Sequence, residues 1–192
     1  MAQLSDEYVR YEGLFLSLKD VITASEQRVL NENPDRLFID NVNFFVKSYL
    51  ISICSYLEAF LQDVAFKYSQ RISTRMEEAC IPHNFMHWRL KTGLKDKNYN
   101  YESMLLPINK KDISDNISAS PYRTLKLFQN LGVDLSKSYD FENNKDLVNM
   151  VVTKRNNIVH HNDRAADVSF GDLKSFIDVI LPYMKAVKEA TL

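Results

Sequence analysis

The segment Arg155-Asn156-Asn157-Ile158-Val159-His160-His161 places an arginine, a carboxamide and a pair of histidines near the end of an apolar-periodic stretch. At 100° per residue, Leu147, Val148, Val151, Val152, Ile158 and Val159 fill one broad arc, and Arg155 falls inside it between Ile158 and Val159. A guanidinium does not give up its charge, so a core-facing arginine needs a partner. Asn156 and His160, four apart, share the neighbouring face. A histidine titrating near neutrality can take the proton of a ribose 2′-hydroxyl and turn that oxygen on the adjacent phosphate. A fixed guanidinium suits the phosphate oxygens and the charge that grows on them. The amide of Asn156 can orient the histidine or bond a phosphate. The set suffices for RNA cleavage that leaves a 2′,3′-cyclic phosphate without a metal. The plainer reading is a helix C-terminus carrying cations at the negative end of its dipole.

Helices must position these groups. Tyr8, Tyr11, Phe15, Leu18, Ile22 and Val29 repeat at three-four spacing, with Leu14 and Val21 widening the stripe. Ser5 is a candidate N-cap, and Asn31-Glu32-Asn33-Pro34 stops the helix. A second helix, over about 35–73, is apolar almost all round, as a central helix would be. Its exception is Glu58, at the margin of the main stripe near Ile51 and Cys54. Glu58 and Arg155 are each costly without a partner, so they are expected to meet where the second and third long helices pack. The region of about 80–120 loses the long period: a short helix around 85–90 precedes a polar, aromatic loop from Lys95 to Tyr101. Another short helix covers 121–131, with Pro121 in its first turn and Gly132 past its end. Asn143 or Asn144 is expected to cap the third long helix, which ends near His161-Asn162. Ser169 with Asp172 forms a capping-box pattern that opens a fourth, carrying Leu173, Phe176, Ile177, Ile180, Met184 and Val187 on one face. Pro182 removes a backbone donor there and is expected to kink it. The expected architecture is all-α: a single domain over 1–192, an up-down bundle of four to five helices, with an irregular insertion between the second and third long helices.

Lysine and arginine (24) nearly cancel aspartate and glutamate (25), which excludes a strongly basic nucleic-acid coat though not a local basic groove. Two cysteines, Cys54 and Cys80, make no disulfide framework and suit a reducing cytoplasm. The first residues have neither a basic flank nor an apolar signal core. The most apolar stretch, 49–66, is interrupted by Ser52, Ser55, Glu58, Gln62 and Asp63, too polar a pattern for a membrane span. A cytoplasmic protein without a membrane partner is expected.

The insertion gathers Arg89, Lys91, Lys95, Lys97, Lys110 and Lys111 among Trp88, Tyr99 and Tyr101. Cations can hold phosphates while rings stack on unpaired bases, so Arg89, Lys91, Lys95, Lys97, Tyr99 and Tyr101 are candidate RNA contacts. A solvated loop with incidental lysines is the alternative. Cys80, His83 and His87 have ligand-like spacing, but Pro82 and the want of a fourth ligand argue against zinc; no metal and no cofactor are expected.

Arg155-Asn156 followed by three residues and His160 resembles the motif of the HEPN superfamily: an arginine, four to six intervening residues and a histidine, often with a polar residue straight after the arginine. His161 satisfies the spacing too, and the pairing with Asn156 favours His160. The stretch Ser55-Tyr56-Leu57-Glu58-Ala59-Phe60 resembles the acidic position of the RiboL-PSP-HEPN-like group, while the insertion has no counterpart that aligns. The resemblance implies a homodimer that brings two motif copies into one cleft, and a metal-independent endoribonuclease active on RNA. It further implies a toxin or antiviral effector with an antitoxin or operon partner protein. Arg155 would stabilise the phosphate, His160 act as base or acid, and Glu58 hold Arg155. Some members are inactive, so the alternative is a non-catalytic module binding RNA, a nucleotide or a protein.

Overall fold

Four long runs of apolar periodicity become four long helices, and shorter elements connect them. The computed structural model describes residues 6–90, 101–161 and 167–192, the side chains of residues 6, 160 and 161 excepted. Among these the order is α1 (Asp6–Leu30), α2 (Arg36–Asp40), α3 (Val42–Glu78), α4 (His83–Leu90), α5 (Lys110–Ser114), α6 (Pro121–Asn130), a 3-10 turn (Leu135–Lys137), α7 (Tyr139–His161) and α8 (Phe170–Glu189). No strand forms among the described residues; one isolated bridge joins Pro82 to Ser103. The all-α expectation holds.

Cross-helix contacts give the directions. Arg10 and Tyr11 reach Asp63, and Ser25 Oγ lies 2.7 Å from Tyr49 Oη, so α1 and α3 are antiparallel. Lys19 bonds Asp178 and Lys174 bonds Glu26, each at 2.5 Å, setting α8 antiparallel to α1. Phe141 stacks on Tyr183 with centroids 4.8 Å apart, while Lys154 pairs with Asp167 just before α8, so α7 and α8 are antiparallel too. The result is an up-down-up-down bundle in which α3 contacts all three other long helices. Against the expectation that the stretch 49–66 is too polar for a membrane span, α3 is by length and composition apolar enough to cross one. Val46, Leu50, Ile53, Cys54, Leu57, Phe60, Leu61 and Val64 of this helix are buried in the core, whereas Phe44 and Ile51 are exposed.

Several boundaries differ from expectation. The second helix is broken at Asn41 (φ −123°, ψ 20°), leaving α2 as a separate turn capped by Asp35, and α3 runs on to Glu78. α5 is an additional helix in the insertion, fixed by a reciprocal capping box between Asn109 and Asp112 and by one buried residue, Ile113. α7 begins before Asn143 and Asn144: the Ser138 carbonyl accepts from the Glu142 amide at 3.0 Å, and the earlier start carries Phe141 into the core. Leu14 and Val21 do not widen the buried stripe of α1; both are exposed. Ser169 and Asp172 do form the reciprocal box, Gly132 takes φ +81° past the end of α6, and α8 continues through Pro182.

Burial also sets a pH dependence. Desolvation, followed by the carboxylate of Glu12, pushes the Tyr8 hydroxyl up to about 12, and burial raises Tyr11 and Tyr183 as well. Cys54 rises, by burial, from 9.0 to about 11. Each keeps its proton in the folded chain after the unfolded chain has lost it, so their contribution is complete below the unfolded values and disappears as pH climbs through the folded ones. Lys188, lowered by burial, acts in the opposite sense and is outnumbered. Urea unfolding at a series of pH values should show stability falling from about pH 9 upward; a flat profile to about pH 11 would contradict the burial of these four groups.

Candidate functional site

The site begins with the core face of α7. Val148, Val151, Val152 and Ile158 are buried, whereas Leu147 and Val159, expected in the same arc, are exposed. Arg155 sits at the centre of the buried arc and points across to α3. Its Nη2 lies 3.4 Å from Glu58 Oε2, with the two side chains 20% and 33% exposed. The pairing anticipated from periodicity is therefore present as a contact. At that length it is an ion pair rather than a tight charge-assisted hydrogen bond. A guanidinium has five N–H donors, and among the described residues that of Arg155 meets only Glu58 and the Cys54 thiol, which leaves donors over for an anion.

Cys54, one turn before Glu58 on α3, is fully buried beside the same guanidinium. Burial dominates its raised value; Arg155 pulls it down, and Glu58 adds to the rise. The thiol stays protonated at neutral pH and presents a small, uncharged wall to Arg155. Sequence reasoning counted Cys54 only as core; its position four residues before Glu58 was the available signal.

Asn156 is half-buried and bonds to no other described side chain. Positions 160 and 161 form the last turn of α7, the first of them one turn beyond Asn156; the side chains of His160 and His161 lie outside the described residues.

The insertion does not act as one unit. Lys91, Lys95, Lys97 and Tyr99 lie outside the described residues. Arg89 stacks over Trp88 at 5.2 Å, and both are exposed, as is Tyr101. α4 follows α3, whose end at Glu78 lies about 30 Å along the axis from Glu58 at ~1.5 Å per residue, and among the described residues none of the contacts of Arg89 reaches Glu58 or Arg155. Ser73 bonds the Leu106 carbonyl at 2.6 Å, and the His83 amide bonds the Glu102 carbonyl at 3.0 Å, which anchors the stretch after 100 at that same end. The structure thus does not bring Arg89 or Tyr101 to Arg155. Lys110 and Lys111, by contrast, return to α3 beside Gln62 and Phe66. His83 and His87 meet with Nε2 atoms 3.3 Å apart, while Cys80 is exposed at φ +48°; among the described residues no third ligand joins them.

A family model described as RiboL-PSP-HEPN matches residues 14–192. No curated protein and no solved structure matches the chain.

Proposed function

The chain belongs to the RiboL-PSP-HEPN family, and from that premise we propose that it is a metal-independent endoribonuclease working as a homodimer. The observation that carries the reading is the half-buried Arg155, in contact with Glu58 and the Cys54 thiol, with Asn156 beside it and position 160 one turn on from Asn156. His160 takes the proton of the 2′-hydroxyl, whose oxygen attacks the adjacent phosphorus. The bond to the 5′-oxygen breaks, that oxygen is protonated, and the products are a 2′,3′-cyclic phosphate and a 5′-hydroxyl. Arg155 stabilises the negative charge on the phosphate oxygens during this exchange. Asn156 orients the histidine or bonds the phosphate, and Glu58 positions Arg155. A second copy supplies a second histidine, so that one acts as base and the other as acid.

Exposed apolar side chains on the two helices that hold the site support pairing of copies there: Phe44 and Ile51 on α3, Leu147 and Val159 on α7. A cytoplasmic location fits the two unpaired thiols. A toxin or antiviral role, with an antitoxin or operon partner, draws its support from the family alone.

The test is cleavage of a mixed RNA pool in excess EDTA by wild type and His160→Ala, with the product ends resolved. Expected are cyclic-phosphate ends from wild type and loss of cleavage in the variant. Intact RNA after incubation with folded wild type would favour the non-catalytic binding module instead.

A further inference from the structure

Lys110 and Lys111 open α5 against α3, where they line a cavity of about 330 Å³ together with Gln62, Asp63, Phe66 and Ser114. Neither ammonium has an ion-pair partner among the described residues. Lys110 Nζ lies over the Phe66 ring, 5.8 Å from its centroid, which restrains the head group in place. The one carboxylate in the lining, Asp63, is already engaged by Arg10 at 2.5 Å and by the Tyr11 hydroxyl at 2.8 Å. Asp112, next along α5, is committed to the Asn109 amide at 2.8 Å. Beside Asp63, the cavity is therefore walled by two ammonium groups without an ion-pair partner among the described residues and by the carboxamide of Gln62, a donor set suited to an anion with several oxygens.

Its position supplies the ligand. Gln62 and Phe66 follow Glu58 by four and eight residues, so the α3 wall of the cavity begins one turn from the Arg155–Glu58 contact and ends two turns on, about 6 to 12 Å along the axis at ~1.5 Å rise per residue. A nucleic-acid strand carries one phosphate per nucleotide, and a strand crossing Arg155 along α3 meets this cavity about one to two nucleotides away. We propose that the Lys110–Lys111–Gln62 cavity holds an RNA phosphate neighbouring the one at Arg155; the inference rests on the ribonuclease reading for its substrate.

The probe is a fluorescent 2′-O-methyl oligoribonucleotide, which lacks the attacking hydroxyl, so that binding is read by anisotropy without turnover. Lys110→Ala/Lys111→Ala should weaken it about tenfold and make the plot of log affinity against log salt shallower by about 0.7. Lys126→Ala/Lys185→Ala, which removes the same charge from exposed positions elsewhere, should change affinity less than about twofold. Equal affinity and slope in the two double variants, with wild type still cleaving RNA, overturns the phosphate site and leaves the ribonuclease standing. Wild type that binds but never cleaves, with the lysine effect intact, keeps the site and removes the ribonuclease. No binding by wild type that still cleaves RNA overturns the phosphate site alone, and neither binding nor cleavage removes both. Saturable calorimetric binding of inorganic phosphate that depends on the two lysines, with RNA affinity unaffected, assigns the cavity to a free anion and overturns the proposal.

Discussion

Arg155→Lys should slow RNA cleavage by about 10²-fold although it keeps the charge, because lysine replaces a planar fork of donors with a single point charge. The fork matters because the Glu58 contact uses one end of it, at 3.4 Å, and the remaining N–H groups are left for the phosphate. A lysine ammonium that satisfies Glu58 has no second end to offer. Arg155→Ala should fall further, toward about 10³-fold, by removing the charge as well. Stability should barely change in either variant: the pair is partly exposed, and such pairs contribute roughly a kcal/mol or less. Single-turnover cleavage measured beside thermal unfolding separates the two effects. A lysine variant that cleaves at the wild-type rate would remove Arg155 from the chemistry.

Glu7→Gln should have the opposite signature, a loss of about 3 kcal/mol of stability through a residue remote from the site. Lys188 is 4% exposed and its Nζ lies 3.5 Å from Glu7 Oε2, while Lys67 pairs with the other oxygen. Burial holds the Lys188 ammonium below the usual lysine range, a direct sign that its desolvation is only partly offset. Without the Glu7 charge, one buried ammonium is left with no counter-ion and Lys67 repels it. Lys188→Met should be nearly neutral, since Glu7 keeps Lys67 and a similar side-chain volume fills the gap. Urea midpoints of the two variants provide the comparison; a Glu7→Gln protein as stable as wild type would show that this pair anchors nothing.

The elements most legible from residues alone were those fixed by local chemistry. Ser169 with Asp172, and Pro121 with Gly132, mark helix ends through backbone groups within a turn of themselves, so nothing distant could overrule them. The approach of Arg155 to Glu58 was legible because a charge inside an apolar arc has few tolerable surroundings. Elements decided by tertiary packing were not. Asn143 and Asn144 are good caps, but α7 starts earlier because Phe141 gains a buried place against Tyr183. The brevity of α5, with a single buried apolar residue, leaves no periodicity to detect. Leu147 and Val159 satisfy the angular pattern, yet a helical arc does not reveal how much of it the neighbouring helices cover. Cys54 passed as core because a thiol looks apolar in sequence; only the position of α7 makes it a neighbour of the guanidinium.

The antiparallel arrangement divides the site between two halves of the chain. α1 and α3 form one helical hairpin, which carries Cys54, Glu58 and Gln62; α7 and α8 form another, which carries Arg155 and Asn156. Each hairpin can build its helices from nearby residues, but the site exists only across the seam where the hairpins dock. Loosening of that seam would separate Arg155 from Glu58 while every helix remained wound. The proposed chemistry is therefore bound to docking rather than to helicity, and a partly opened chain would keep its circular dichroism after the Arg155–Glu58 contact had gone.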